Sequence, residues 1–202
     1  MYIGRFVLAG LTPNGTPLLG YRVSSRSFPN RRIVQMGDRA IVLPTADAQP
    51  TDNPYVAYNC LRYHKGMAVV ANGSHVDPII EKVAAGYPLR DALALSLLAM
   101  DYEHDDYCTP RVAAGLSQGA AHLAIVTPER LCVQTVRPEA GVAMLIATYE
   151  LVEPVRTRIH SESAADLARE LYDLDYEQPI ASVAMLMGDT PSIAVYGPAA
   201  SG

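Results

Sequence analysis

The chain has 202 residues, half of them hydrophobic, and its 16 basic and 21 acidic side chains leave a formal net charge of −5. That length fits one domain over 1–202, able to bury roughly 70% of its unfolded surface without disulfide or metal staples. A charged fraction of 18% excludes global disorder, no apolar run nears the ~18 residues of a membrane span, and the acidic balance argues against a general nucleic-acid binder.

The opening MYIGRFVLAG lacks the basic and long apolar regions of a secretion signal and predicts a strand over 3–9. Asn14-Gly15 tolerates the positive φ angles of a tight hairpin, with 18–24 as the returning strand. Gly37-Asp38 predicts a second hairpin, between 32–36 and 39–43, and Lys65-Gly66 a third, between 55–63 and 67–71. The polar, proline-bearing stretch 45–54 is a loop, and the sheet is largely antiparallel. Helical signals begin at Asp77-Pro78, an acceptor side chain to cap free N–H groups followed by a proline suited to the first turn. Ile79, Ile80, Val83 and Ala84 continue at helical spacing to Gly86. A second helix over 88–102 aligns Leu89, Leu93 and Leu97, and both faces are expected to be more buried than solvated. Strand character returns over 120–127, 131–136 and 141–150. Ser163 and Asp166 form a capping box for an amphipathic helix carrying Ala164, Leu167, Ala168, Leu171 and Leu174. Strands over 180–187 and 192–196 close an α+β domain of sheets packed by helices.

Cys60, Cys108 and Cys132 are odd in number and show no metal-binding spacing, so they are expected to be buried thiols in a reducing, cytoplasmic compartment. The basic residues are skewed, with fourteen arginines against Lys65 and Lys82, and arginine's planar fork suits phosphate and carboxylate partners.

Four segments carry the chemistry. YRVSSRSFPNRR gathers Arg22, Arg26, Arg31 and Arg32 among Ser24, Ser25, Ser27 and Asn30, a donor set for a compact anion or else a solvated basic loop. In NPYVAYNC, strand alternation puts Tyr58 and Asn59 on opposite faces; a tyrosine hydroxyl can donate a proton and an amide can read a heterocycle edge, although strand tyrosines commonly serve only as filler. ANGSHVDP offers close backbone approach at Asn72-Gly73 before a helix N-terminus, or merely a strand-to-helix turn. DYEHDD concentrates four carboxylates around His104; neighbouring residues point apart and cannot all ligate one ion, so one inward carboxylate acting as a base demands less than a metal site. His75, His122 and His160 show no metal-ligand spacing, and Walker, dinucleotide-binding, nucleophile-elbow and zinc-protease motifs are missing, so neither metal nor cofactor is expected.

Taken together, MYIGRF, YRVSSRSFPNRR, NPYVAYNC, ANGSHVDP and DYEHDDYCTPR resemble the archaeal type of IMP cyclohydrolase, most densely over the first 115 residues. The resemblance implies a four-layer αββα sandwich like that of the N-terminal-nucleophile hydrolases. It also implies dehydrative ring closure of 5-formamidoimidazole-4-carboxamide ribonucleotide (FAICAR) to inosine monophosphate (IMP) in purine biosynthesis, with homo-oligomeric assembly and neither nucleic acid nor membrane as partner. An N-terminal nucleophile is lacking, because the second residue is Tyr2 instead of Ser, Thr or Cys. On residue chemistry together with the resemblance, Glu103 polarises or deprotonates the carboxamide, Tyr58 donates toward the formyl oxygen and Arg31 stabilises the charge developing there. Ser24, Arg26, Ser27, Asn59, Asn72, Gly73 and Arg111 are candidates for gripping phosphate, ribose or base. Two other readings stay open, an amidohydrolase of the same sandwich and a non-catalytic purine-nucleotide-binding protein.

Overall fold

A computed structural model describes residues 1–50, 53, 55–117 and 119–198. Its α+β architecture consists of two antiparallel sheets and three helices. The first sheet has six strands, β1 (Phe6–Leu11), β2 (Pro17–Ser24), β10 (Val142–Ala147), β11 (Val155–Arg158), β12 (Pro179–Leu186) and β13 (Ser192–Tyr196), ordered β11-β10-β1-β2-β12-β13. The second has seven, β3 (Arg31–Met36), β4 (Arg39–Pro44), β5 (Tyr58–His64), β6 (Met67–Ala71), β7 (Arg111–Ser117), β8 (Ala120–Val126) and β9 (Leu131–Val136), running in sequence order. Each of the three expected hairpins forms, β1–β2, β3–β4 and β5–β6.

Strand alternation sorts the core into three apolar layers. Val7, Tyr21, Val23, Val42, Tyr58, Leu61, Val112 and Val183 meet between the sheets. Phe6, Leu8 and Leu145 of the six-stranded sheet face outward onto Leu167 and Leu171 of α3 (Ala164–Asp173). Val69 and Ala113 of the seven-stranded sheet face Ile79 of α1 (Val76–Ala84) and Leu93 and Leu97 of α2 (Leu89–Met100). This succession of helix, sheet, sheet and paired helices is consistent with a sandwich. Among the described residues, no helix is long and apolar enough to cross a membrane.

Several expectations are corrected. The first strand starts at Phe6 and not at residue 3, because Gly4 holds a positive φ of 69° where a Cβ would collide with Thr148 Oγ1 and the Tyr149 ring. Residue 55 stands outside β5, and part of the 45–54 loop lies outside the described residues. Strands β7 and β11 were not anticipated. Asp77 does not cap α1, whose N-cap is His75 without a side-chain bond; the carboxylate instead accepts from Asn59 Nδ2 and Arg62 Nη1, both at 2.9 Å. Of the cysteines only Cys60 is buried, its thiol pKa pushed up by burial, whereas Cys108 is exposed and Cys132 half-buried. Helix α2 leaves Leu95 and Leu98 in solvent, so its two faces are not both covered.

The capping expectation at α3 holds: Ser163 Oγ accepts from Asp166 N at 3.1 Å and donates to Asp166 Oδ2 at 2.6 Å. Ser163→Ala is therefore expected to cost about 1 kcal/mol of folding free energy, read from the midpoint of a urea unfolding curve at unchanged slope.

Candidate active site

A cleft of about 500 Å³, within the usual range for small-molecule sites, opens where five pieces of chain converge. These are the N-terminal residues before β1, the turn between β2 and β3, the connection between β4 and β5, the segment between α2 and β7, and the turn after β10. Ser24, Arg26, Ser27, Arg31 and Glu103 of the anticipated residues line it.

Its centre is an ion pair. Glu103 is only 1% exposed and Arg5 11%, and the guanidinium grips the carboxylate with both nitrogens, Nη2 to Oε2 at 2.8 Å and Nη1 to Oε1 at 3.2 Å. Such a two-point grip fixes the carboxylate plane as well as its charge. Arg5 Nη1 also donates to the Asn72 carbonyl at 3.1 Å. Burial alone would lower the Arg5 pKa, but Glu103 and, less strongly, Tyr58 raise it above the ordinary arginine value. Arg111 adds a second cation, its Nη1 3.8 Å from Glu103 Oε1 while Nε donates to the Asp101 carbonyl at 2.8 Å. Burial lowers the Arg111 pKa, and its buried Nη1 has no hydrogen-bond partner among the described residues.

The local fold explains why one carboxylate of DYEHDD turns inward. Glu103 N donates to the Thr109 carbonyl at 2.8 Å, closing the segment on itself. Asp105 stabilises that closure by accepting from Thr109 N at 2.9 Å and Thr109 Oγ1 at 2.7 Å. Among the described residues, no three His, Cys, Asp or Glu side chains gather to hold a metal ion.

Around this pair stand hydroxyl and cationic donors. Arg31 is buried at the start of β3 and is steadied by Nε–H donation to the Phe28 carbonyl at 3.0 Å. Ser24 Oγ is buried in the cleft wall with no hydrogen-bond partner among the described residues. Ser25 Oγ accepts from Phe28 N at 3.0 Å and shapes the turn that presents them. Arg26 lies at the rim, 4.1 Å over the Tyr2 ring and 3.1 Å from Glu177 Oε2. Arg5, Arg26 and Arg31 balance Glu103, Asp105 and Glu150 in the lining, and with Glu103 already held by Arg5, Arg31 is placed to meet an anionic ligand.

Tyr58 and Asn59 do lie on opposite faces. The Tyr58 side chain enters the core between the sheets, 2.6 Å from the Tyr21 hydroxyl and electrostatically coupled to Arg5. Asn59 faces α1 and Asp77, away from the cleft. Asn72 is also outside the lining: its Oδ1 accepts from Val112 N at 2.8 Å, its Nδ2 donates to the Pro110 carbonyl at 2.9 Å, and it holds Arg5 through its backbone. Gly73 backs the ion pair, since a Cβ there would stand 3.1 Å from Arg111 Nη1 and 3.4 Å from Glu103 Oε1. Nearby His75 is fully buried, with Nε2–H donating to the Val112 carbonyl at 3.0 Å; burial and then Arg111 push its pKa down to about 3, so the ring is neutral.

Arg22 does not join the cluster of its neighbours. It is fully buried on the opposite face of β2, where Nη1 donates to the Tyr172 and Leu174 carbonyls at 3.0 and 2.9 Å and Nη2 to the Tyr176 carbonyl at 3.0 Å. Burial lowers its pKa to about 10. Sequence reasoning did not single out Arg5, nor Tyr2, Tyr55, Tyr107 and Tyr149, which also line the cleft. Tyr2 and Tyr149 stack with centroids 5.9 Å apart, and Tyr149 shares a 2.8 Å hydrogen bond with Thr109. The available signal for Arg5 was a lone charge opening an otherwise apolar strand.

Residues 2–190 match the family model described as IMP cyclohydrolase-like protein. The chain is 48% identical over 198 residues to the IMP cyclohydrolase of Methanocella arvoryzae, covering 97% of this chain and 98% of that one. It is 50% identical over 181 residues to the IMP cyclohydrolase of Halobacterium salinarum, covering 89% of each. The IMP cyclohydrolase of Methanococcus maripaludis is 40% identical over 194 residues, with 94% and 96% covered.

Proposed function

This chain belongs to the IMP cyclohydrolase family, and we propose that its cleft closes the second purine ring of FAICAR with Glu103, Tyr58 and Arg31 as the acting groups. The observation that carries the assignment is the buried Glu103 carboxylate, clamped by Arg5 inside a cleft rich in arginine and coupled through Arg5 to Tyr58.

The substrate brings its own nucleophile. Its carboxamide nitrogen attacks its formyl carbon, the new N–C bond forms, and the formyl C=O becomes C–OH. One proton leaves the carboxamide nitrogen toward Glu103, and one reaches the oxygen from Tyr58 while Arg31 stabilises the charge there. The carbinolamine then loses its hydroxyl as water together with the proton of the former formamide nitrogen, leaving the C=N bond of IMP. Holding the two arms coplanar supplies the entropic part, worth up to ~7–11 kcal/mol in well-oriented intramolecular systems. An active site of this kind needs no enzyme nucleophile. Tyr2, stacked on Tyr149 at the cleft, offers an aromatic ring there and no nucleophilic hydroxyl of the serine or threonine kind. The succession of helix, two antiparallel sheets and helices supports a likeness in fold to those hydrolases, with different chemistry.

Ser24, Ser27 and Arg26 are the groups suited to the phosphate and ribose, supported by their place in the cleft lining and by the orphaned Ser24 hydroxyl, while Arg111 stands behind Glu103 with its Nη1 lacking a hydrogen-bond partner among the described residues. Asn72 and Gly73 act behind them by holding the Arg5–Glu103–Arg111 cluster, and Asn59 acts through the α1 side of the sheet. Assembly of several copies belongs to the same reading, supported by the apolar Leu95 and Leu98 left exposed on α2.

The test is a spectrophotometric assay with FAICAR and without added metal or cofactor. IMP should appear, and Tyr58→Phe should slow its appearance by about 10²–10⁴-fold while IMP affinity is retained. Nucleotide binding without any product would leave the non-catalytic reading standing.

A further inference from the structure

The hydrogen bond between Tyr21 and Tyr58 crosses the molecule. Tyr21 belongs to β2 in the six-stranded sheet, Tyr58 opens β5 in the seven-stranded one, and their hydroxyl oxygens meet 2.6 Å apart within the core between the sheets. We propose that Tyr21 is a positioning residue for ring closure, donating its hydroxyl proton to Tyr58 so that Tyr58 directs its own proton at the substrate. The proposal rests on the reading of Tyr58 as the proton donor.

A phenol carries one O–H donor and can also accept. If Tyr58 donates to Tyr21, it has nothing left for the formyl oxygen; if Tyr21 donates, the Tyr58 proton is free for another acceptor. The surroundings favour the second arrangement. The Tyr21 side chain is fully buried, and Tyr58 is the hydrogen-bond partner of its hydroxyl among the described residues. Burial first, and then Tyr58, hold the Tyr21 pKa well above the ordinary tyrosine value, against the opposing pull of Arg5 and Arg31. Tyr21 therefore keeps its proton and is placed to lend it, as a hydrogen bond, to the Tyr58 oxygen 2.6 Å away. As the Tyr58 oxygen gains negative charge, the Tyr21 O–H becomes a charge-assisted donor to it, a stronger bond than the neutral one it replaces. Because that strengthening belongs to the transition state and not to bound substrate, it should appear in kcat and leave KM nearly alone.

Tyr21→Phe removes the hydroxyl and keeps the ring that packs the core. The expected result is a kcat about 10–100-fold lower, with KM and IMP affinity within about twofold of the parent, the scale of one hydrogen bond to a charged group. In the Tyr21→Phe/Tyr58→Phe double variant, the second change should add almost nothing to the loss from Tyr58→Phe alone, since the two hydroxyls act in series. Thermal melts of all three variants monitor folding separately. Parent-like kcat in Tyr21→Phe beside a slow Tyr58→Phe overturns the role of Tyr21 only, as does full additivity in the double variant. Parent-like kcat in Tyr58→Phe overturns the assignment of Tyr58 and this inference with it.

Discussion

Replacing Glu103 by glutamine is expected to lower turnover by about 10²–10⁴-fold, the usual scale of general acid–base assistance, and to lower the melting temperature as well. The two effects share one cause. The carboxylate is both the candidate proton acceptor and the counter-charge for Arg5, which is 11% exposed, and for Arg111 beyond it. Glutamine replaces one oxygen with an NH2 that faces a guanidinium, leaving buried cations unpaired, and breaking a buried pair from one side costs about 3–5 kcal/mol. At roughly 2–4 °C per kcal/mol for a chain of this size, a calorimetric scan should show a fall on the order of 10 °C. Kinetics measured well below the lowered melting point, alongside IMP affinity by titration calorimetry, separate loss of chemistry from loss of fold. Parent-like turnover in a folded Glu103→Gln variant would remove Glu103 from the mechanism.

Arg22→Met is expected to do the reverse, with large destabilisation and little change in kcat/KM. The Arg22 guanidinium collects carbonyls at and beyond the C-terminal end of α3, where backbone acceptors run out of helical partners, and it also stands 5.0 Å over the Phe6 ring. Methionine can fill much of the volume but donates nothing, so the carbonyls of residues 172, 174 and 176 lose the guanidinium, with Leu174 keeping the Tyr176 N–H. Relief of the burial that lowers the Arg22 pKa offsets only part of that loss. A net cost of about 3 kcal/mol or more follows, measurable by urea unfolding. Arg22→Lys should recover only a fraction, because one ammonium cannot span two arms of carbonyls. Because the side chain faces α3 and not the cleft, a comparable loss of kcat/KM at a temperature where the variant is folded would contradict this division of roles.

What the sequence made legible follows the range of the interactions involved. Hairpins marked by Asn14-Gly15, Gly37-Asp38 and Lys65-Gly66 depend on turn chemistry two residues long, and all three formed. The Ser163 cap and the stripe of Leu167 and Leu171 are equally local. Strand β7 was hidden because RVAAGLS is poor in β-branched residues; its small side chains suit it to a central position flanked by β6 and β8, a tertiary reason. Strand β11 is four residues long at a sheet edge and offers little pattern. The same divide runs through the site. Opposite faces for Tyr58 and Asn59 follow from strand period, and the same rule applied to Tyr21 and Arg22 would have separated Arg22 from the cleft cluster. Arg5 carries only a weak local mark, a lone charge ahead of an apolar strand, because its meaning lies in Glu103, 98 residues away.

The strand order of the six-stranded sheet also sets a timetable. Hairpin β1–β2, which is preceded by Arg5 and carries Tyr21 and Ser24, finds its neighbours in β10 and β12, made from residues 142–147 and 179–186. A ribosome therefore releases the chain as far as residue 142 before one flank of that hairpin can be covered, and as far as residue 179 before the other can. Until the first is covered the nascent protein carries two open ladders of N–H and C=O groups, the kind of surface chaperones shield.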